Sequence, residues 1–162
     1  TASPFGRAAR IPRVGLNLTF MEAAKGCIKE IEVEGKKKQI KIPAGVDDGS
    51  RINFRDFYVT INVRPDPVFK RDGIDLLMDI SFPFTLAVLG GTISVPTVEG
   101  EVNLRIRPGT QPGTMIRLRG KGLPRLQGGG RGDQYIRLGI SLPTKLNSKQ
   151  KELLKEFARF EI

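Results

Sequence analysis

The feature that most constrains this 162-residue chain is a pattern that occurs twice. Residues 26–35 resemble residues 91–100 at a constant offset of 65 positions (91 − 26), and residues 42–52 resemble residues 106–116 at an offset of 64 (106 − 42). Glycines recur at the same spacing in both copies, and β-branched residues, which favour strands, surround them. A period this long that occurs twice predicts two similar β-rich modules in tandem rather than a solenoid.

Strand and turn signals place these modules along the chain. Residues 1–10 lack periodicity and are predicted to be a flexible tail. The first module is predicted over residues 11–66 and the second over residues 67–145, because the Pro-rich stretch 64–67 breaks the strand pattern. Residues 68–74 are interpreted as a connector. The expected fold class is mainly β, with two β-sandwich-like modules of similar topology, short helices and a C-terminal helix.

Individual elements follow from alternation and cap spacing. Thr19 and Glu22 have the spacing of a capping box, which predicts a short helix over residues 20–25 that ends at Gly26. The second module is expected to contain its counterpart, ending at the glycine pair 90–91. The predicted strands are residues 16–19, 28–33, 39–42, 51–54 and 57–63 in the first module, and residues 76–82, 92–95, 102–106, 115–118 and 135–141 in the second.

The two modules differ at one hairpin. In the second module a Gly-rich stretch over residues 119–132 joins two strands, whereas Arg55 alone separates Phe54 from Asp56 in the first. After this point the offset becomes 77 (133 − 56), so 13 residues (77 − 64) are missing from the first module at this hairpin. Either the hairpin is short there, or part of it is deleted or disordered. The stretch contains no Gly-Lys-Ser/Thr that opens a helix, so it is interpreted as a hairpin and not as a phosphate-binding loop.

Residues 146–162 are predicted to form a C-terminal helix. Asn147 and Gln150 have the spacing of a cap. Four apolar residues share one face of the predicted helix: Leu153, Leu154, Phe157 and Phe160. Because a helix this short is marginally stable alone in water, this face is expected to pack against another surface. The pattern leaves both packing within the chain and self-association open.

Composition excludes several kinds of enzyme site. The chain contains no histidine and one cysteine, which excludes a Ser-His-Asp triad, a Cys-His dyad and any zinc site that needs His or several Cys ligands. A single cysteine also excludes an internal disulfide. No apolar run approaches the ~20 residues that a transmembrane helix requires. Carboxylate-only chemistry stays open, but no acidic cluster indicates it, so an enzyme is the least expected class of function. We also expect no bound metal and no membrane partner.

The net charge of +10 permits two interpretations. A basic β-rich protein can bind nucleic acid, and this is the alternative function. However, the aromatic residues are not interleaved with the basic ones, as base stacking would require. This favours a basic surface that attracts acidic partners, with no specific nucleic-acid partner. A purely structural assembly module is a third possibility.

Several segments resemble, in order, the C-terminal substrate-binding region of J-domain co-chaperones, the DnaJ family. They are LTFMEAAKG at 18–26, IPAGVDDG at 42–49, VFKRDG at 68–73, LGG at 89–91, PGTQ at 108–111, GKGLP at 120–124 and GDQY at 132–135. The resemblance implies two tandem β-sandwich-like modules followed by a dimerisation helix over residues 146–162. It also implies that the protein binds unfolded or non-native polypeptides, forms a homodimer and delivers its clients to a DnaK-type chaperone. The implied location is the cytoplasm, with the mitochondrial matrix as the alternative.

Two features of the family are not found in this sequence. Without histidine it cannot contain the His-Pro-Asp tripeptide by which a J domain stimulates the partner ATPase. Many family members also carry a cysteine-rich zinc region inserted in the first module, but nothing is inserted at the matching point near residues 34–36. No cofactor is therefore expected here, although zinc is possible in a longer parent protein.

The resemblance also implies site residues. The client-binding positions are Ile31 and Val33 on one strand and Val59 on another, with Val14 and Ile40 beside them. Without the resemblance, the same pattern would be that of ordinary core residues. Three basic residues are candidates for binding the acidic tail of the partner chaperone: Lys36, Lys38 and Arg51. The dimerisation residues are those of the apolar helix face, namely Leu153, Leu154, Phe157 and Phe160.

Overall fold

A computed structural model describes residues 10–161 of the chain, so the tail predicted over residues 1–10 lies almost wholly outside the described residues. The fold is mainly β, as predicted, and three short helices interrupt the strands. The first module, module I, contains β1 (Arg13–Leu18), α1 (Phe20–Lys25), β2 (Cys27–Val33), β3 (Lys36–Ile42), β4 (Arg51–Asn53) and β5 (Tyr58–Val63). Module II contains β6 (Lys70–Asp72), β7 (Asp75–Pro83), α2 (Phe84–Leu89), β8 (Gly91–Thr97), β9 (Gly100–Ile106), β10 (Met115–Leu118) and β11 (Gln134–Ser141). The C-terminal helix α3 spans Ser148–Ala158.

The two modules have the same topology. In module I a central β5 pairs in parallel with β1 and in antiparallel with β4. In module II a central β11 pairs in parallel with β7 and in antiparallel with β10. Each of these sheets is accompanied by a separate two-stranded hairpin, β2–β3 or β8–β9. The tandem duplication predicted from the sequence is therefore a property of the fold.

Module II contains one strand that module I lacks. The connector predicted over residues 68–74 includes β6, a three-residue strand that pairs in antiparallel with the start of β7. This strand covers part of the β7 edge. The equivalent edge of β1 has no such neighbour among the described residues. The division of the chain at residues 66 and 67 remains a prediction.

The structural alignment of β2 with β8 differs by one residue from the alignment that the sequence repeat suggests. Both short helices end at a glycine with positive φ, Gly26 (φ 78°) and Gly90 (φ 79°). These two glycines are 64 positions apart, and β3 and β9 share the same offset. The offset of 65 proposed for residues 26–35 is therefore wrong. The glycine pair at 90 and 91 permits both alignments in the sequence, and only the backbone distinguishes them.

The hairpins account for the later change of offset. In module I the β4–β5 connection is short, and the Phe54 amide donates to the Phe57 carbonyl at 2.8 Å. In module II the equivalent connection runs from Leu118 to Gln134 and includes the Gly-rich loop. That loop folds back on the start of β7, where the Leu123 amide donates to the Ile74 carbonyl at 2.7 Å. The loop is thus a packed hairpin, as predicted, because Leu123 is fully buried.

Two apolar clusters form the core, one in each module, and α1 connects them. The module I cluster is built from β1, α1, β2, β3 and β5. Phe20 and Ala24 on α1 belong to the cluster of module II, and the Phe20 ring stacks on Phe69 with centroids 5.4 Å apart. The modules therefore share a packed junction.

Polar contacts reinforce this junction. The Arg71 guanidinium donates to the carbonyl oxygens of Gly45, at 2.8 Å, and of Val46, and its Nε lies 3.4 Å from Asp47 Oδ1. Burial lowers the pKa of Arg71, with Asp47 acting in the opposite direction. Gly45 has φ 89°, and a Cβ there would overlap the carbonyl oxygen of Pro124 in the Gly-rich loop. A glycine in module I thus permits close approach of the module II hairpin.

Candidate functional site

The residues predicted to bind clients lie together in module I, but most of them are not open to solvent. Ile31, Val33 and Ile40 are only 7%, 6% and 5% exposed, and Val59 is fully buried. Val14 is half-buried and packs against the same cluster. The expectation of an open apolar groove at these positions is therefore wrong, because the β2–β3 hairpin lies with its apolar face on the sheet of β1, β5 and β4. What remains accessible is the margin of this cluster, which includes Val14 and the neighbouring Leu16 on β1. The other partly buried members of this margin are Cys27, Ile52, Phe54 and Val63.

The feature of module I that is open is a strand edge. β2 pairs with β3 only, and β1 pairs with β5 only. Within the described residues, the backbone of β2 forms no hydrogen bond other than those to β3. An unpaired edge presents a row of N–H and C=O groups that another extended chain can bind.

The turn of the hairpin determines which groups face that edge. Val33 pairs with Lys36 across a two-residue turn, in which Glu34 and Gly35 both have positive φ (51° and 79°). In such a hairpin the residues that flank the turn exchange both backbone hydrogen bonds, and the pattern alternates from there. The N–H and C=O groups that point away from β3 therefore belong to Ile28, Glu30 and Glu32. Their side chains are solvent-exposed, on the face opposite to the core.

The equivalent edge in module II is blocked at one position. At an offset of 64, Glu32 corresponds to Pro96 on β8, and proline has no N–H. The Pro96 carbonyl, which also points away from β9, accepts a hydrogen bond from Gln134 Nε2 at 2.9 Å. Gln134 is fully buried. In module I its equivalent is Phe57, whose side chain has no polar group, so the position of Glu32 on β2 is not blocked in this way.

The buried amide of Gln134 is incompletely satisfied. Its Nε2 also lies 3.0 Å from Met78 Sδ, whereas its Oε1 has no partner among the described residues. Neither Pro96 nor Gln134 was a candidate from the sequence. The signal was present, since a proline inside an apparent strand indicates an edge whose N–H side is unpaired.

The three basic candidates do not form one cluster. Lys38 lies on the inner side of the hairpin, with Nζ 5.1 Å from the Phe57 ring centroid and 4.0 Å from Asp56 Oδ2. Arg51 lies on the outer face of the β4–β5 pair, where its guanidinium stacks on Tyr58 at 3.7 Å from the ring centroid. Lys36 is exposed at the end of the hairpin next to Lys38. Lys36 and Lys38 can therefore act together, whereas Arg51 lies on another face.

The start of β2 carries a local ion pair. Lys29 Nζ lies 2.7 Å from Glu22 Oε1, while Glu22 Oε2 accepts from the Thr19 amide in the predicted capping box. The Lys29 ammonium and the Thr19 amide together lower the pKa of Glu22. Burial raises the pKa of the nearby Cys27 thiol, so the chemistry of this thiol is not that of an activated nucleophile.

The residues present do not fit a zinc centre. Within residues 10–161 no three Cys, His, Asp or Glu side chains form a group that could hold a metal ion. The position where family members carry the zinc region is occupied by the tight turn at Glu34 and Gly35. The helices among these residues are also too short and too polar to cross a membrane.

The C-terminal helix leaves its apolar face uncovered. Its cap forms as predicted, with the Gln150 amide donating to Asn147 Oδ1 at 2.8 Å. No residue of α3 is buried. Leu154 is half-buried, and the others are 52% (Leu153), 59% (Phe157) and 80% (Phe160) exposed. Within residues 10–161, no other part of the chain covers this face.

Comparison with known proteins gives a consistent result. A family model described as the DnaJ C terminal domain matches residues 13–143. The chain is 46% identical over 136 residues to "Chaperone protein DnaJ" of Ruminiclostridium cellulolyticum, covering 76% of this chain and 36% of that protein. The match to the protein of the same name from Acetivibrio thermocellus is 45% over 135 residues, covering 75% and 35%. That from Clostridioides difficile is 43% identical over 137 residues, covering 76% and 36%.

Proposed function

This chain belongs to the DnaJ C-terminal domain family, and on that premise we propose that it is a co-chaperone region that holds non-native polypeptides. It spans about a third of the length of the curated relatives it matches (36% and 35%). The clients are unfolded or partly folded chains, and the receiving partner is a DnaK-type chaperone, in the cytoplasm. The contribution of this region is binding and not catalysis.

The observation that carries this proposal is the open edge of β2. A client segment in extended conformation adds to β2 as a further strand and pairs with the outward N–H and C=O groups of Ile28, Glu30 and Glu32. Main-chain pairing of this kind tolerates many sequences, which suits a protein with many clients. The block on the edge of β8 at Pro96, formed together with Gln134, supports assignment of this role to module I.

Client side chains that point inward contact the margin of the module I cluster. Val14 and Leu16 on β1 are half-buried there, and Ile31 and Val33 lie just beneath. Each Leu- or Phe-sized side chain buried in this way contributes about 1.5–3 kcal/mol. Two or three such contacts, less the cost of ordering the client, give weak and exchangeable binding. Deeper contact with Ile31, Val33, Ile40 and Val59 requires the β2–β3 hairpin to move away from the sheet.

We also propose that α3 joins two copies through Leu153, Leu154, Phe157 and Phe160. Two copies present two open edges to one client, which raises the effective affinity without a new kind of contact.

Lys36 and Lys38 are proposed to attract an acidic tail of the partner chaperone. Lys36 has no ion-pair partner within residues 10–161, and the single partner of Lys38 is 4.0 Å away.

Proline substitution tests the edge directly. Glu32→Pro removes one outward N–H from β2 without removing a bond to β3, and the chain already has proline at the equivalent position of β8. We expect Glu32→Pro to weaken capture of a reduced, denatured client about fivefold, the value of one hydrogen bond of ~1 kcal/mol. Capture is measured as suppression of light scattering by an aggregating protein.

The matched control is Lys37→Pro. Lys37 lies directly opposite Glu32, and its N–H points away from β2 on the other edge of the same hairpin. It should keep the capture activity of the unmodified chain. Equal losses in both variants would indicate damage to the hairpin, and no loss in either would show that clients do not bind at the β2 edge. Ile31→Ser and Val33→Ser are unsuitable here, because both side chains are buried and their loss destabilises the module itself.

A further inference from the structure

The outer face of the module II sheet carries an apolar patch where the same positions of module I are polar, and the Arg137–Asp79 ion pair borders this patch. It carries Leu77 on β7, Tyr135 on β11 and Met115 on β10, with Val68 at its rim. Leu77 is 37%, Val68 43% and Met115 53% exposed. The sheet and the linker before β6 enclose a groove of about 480 Å³ on this face.

Module I shows which residues occupy the equivalent positions when this face of the sheet is polar. The strand registers place Arg13 at the position of Leu77, Arg51 at that of Met115 and Tyr58 at that of Tyr135. In module I the guanidinium of Arg51 covers the Tyr58 ring at 3.7 Å from its centroid. Module II replaces both arginines with apolar side chains on a surface that faces water. Core packing does not account for this difference, because both faces are external.

The charges around the groove are unbalanced. Arg137 is held by Asp79 through two hydrogen bonds of 2.7 and 3.1 Å, and Arg117 is held by Asp133 at 2.8 Å. Lys70, opposite Leu77 on β6, forms no ion pair with any residue from 10 to 161. The groove thus offers an apolar patch, the Arg137–Asp79 ion pair and the ammonium group of Lys70 at its edge. The Lys70 charge also contributes to the lowered pKa of Asp79, after the larger effect of Arg137.

We propose that this face is a second peptide-binding surface, which takes an apolar segment of a non-native polypeptide that carries a carboxylate. The carboxylate pairs with Lys70, and the apolar side chains contact Leu77, Tyr135 and Met115. The unbranched thioether of Met115 adapts to different partners, which suits a surface with variable occupants. The proposal rests on the chaperone role proposed above. A second copy of the chain, with a net charge of +10, is a poorer electrostatic match for Lys70 than an acidic segment is.

The test is charge reversal on both partners. The probes are two fluorescein-labelled short peptides of Leu, Val and Phe that differ only in one central residue, Asp or Lys. Binding is measured on the chain that carries Glu32→Pro, which weakens the β2 edge. On this chain the Asp peptide should bind about threefold more tightly than the Lys peptide, the effect of an exposed ion pair. Lys70→Glu should reverse this preference. Lys145→Glu, an exposed charge change elsewhere in module II, should leave it unchanged.

A second variant tests the apolar patch. Leu77→Arg with Met115→Arg installs the module I residues at both positions and should reduce binding of the Asp peptide at least tenfold. When the same two substitutions are made in a chain that keeps Glu32, capture of denatured clients through β2 should be retained. If Lys70→Glu and the double variant leave both peptides unaffected while Glu32→Pro abolishes binding, this proposal is overturned and the β2 site stands. If the double variant changes the sedimentation mass, the face is an interface between copies and the proposal also fails. Absence of peptide binding to the unmodified chain would contradict both sites together.

Discussion

Glu32 and Pro96 occupy equivalent positions on β2 and β8, and the difference between them is one N–H group. Both strands belong to hairpins with two-residue turns, although the two turn residues have positive φ in module I and not in module II. Proline removes the donor, and Gln134 occupies the acceptor that remains. The duplication therefore contains its own comparison of an open and a blocked position on a strand edge, decided by two side chains.

Asp133 is a second residue whose role is local and electrostatic. Its carboxylate accepts from the Gly120 amide and from Arg117 Nε, both at 2.8 Å, and so fixes the two ends of the Gly-rich loop. The Gly120 amide and then the Arg117 guanidinium lower the pKa of Asp133. A lowered pKa in the folded state means that the ionised form stabilises the fold.

Asp133→Asn should therefore lower the free energy of unfolding at neutral pH. The contribution of Asp133 is present above the pKa of the unfolded chain and is lost as the pH falls through the lower pKa of the folded state. The difference between the variant and the unmodified chain should shrink in that acidic range, as measured by urea unfolding at a series of pH values. Glu34→Gln, which removes an exposed carboxylate with no ion-pair partner within residues 10–161, is the control and should leave the free energy of unfolding at neutral pH unchanged.

At the scale of elements, α3 combines an amphipathic sequence with an apolar face that is exposed to solvent. An amphipathic helix with its apolar face in water gains little from folding, and its stability must come from packing. Its exposed face is therefore the strongest evidence within residues 10–161 for a partner surface. The pairing of two such faces across a two-fold axis would bury the same residues from both copies.

We predict that Leu154→Asp with Phe157→Asp yields a monomer. Loss of two apolar contacts of ~1.5–3 kcal/mol each should raise the dissociation constant of the dimer more than hundredfold. Sedimentation velocity over a concentration series measures this. Lys151→Asp with Lys155→Asp changes the opposite face of α3 and should leave the mass unchanged. A dimer that survives the first pair of substitutions would place the interface elsewhere.

At the scale of the whole molecule, the junction between the modules depends on close backbone approach. Gly45 and Gly49 both have positive φ (89° and 78°), but only at Gly45 would a Cβ meet the Gly-rich loop of module II. Gly49 faces open space. Substitution of Gly49 by alanine therefore measures the free-energy cost of backbone strain alone, whereas substitution of Gly45 adds the cost of steric overlap.

Gly49→Ala should destabilise the fold by about 1–2 kcal/mol through its φ alone. Gly45→Ala should cost about 1–3 kcal/mol more, because the added methyl group forces Pro124 and its loop away from module I. Urea unfolding followed by circular dichroism measures both values. Equal costs would mean that the loop adjusts freely and that the modules are not held at this point.

Most of the fold could be predicted because its signals are local. The caps at Thr19 and Asn147 follow from spacing alone. The short hairpin at Phe54 was one of the alternatives that the sequence left open, and the structure decides between them. β6 was missed because three residues with charged side chains carry no alternation, and its pairing with β7 is a tertiary contact. The sequence could predict that the candidate residues lie together, but not whether their side chains are exposed to solvent. Ile31 and Val33 show the same alternation whether they line a groove or a core.

The outward side chains of β2 have a consequence for which segments can bind there. A strand added to this edge places every second side chain beside Glu30 and Glu32, on the solvent side of the hairpin. Lysine or arginine at those positions of the incoming segment is favoured, and acidic residues are repelled. Two β2 strands from different copies would bring their glutamates together, so the same charges also oppose edge-to-edge aggregation of the chain with itself.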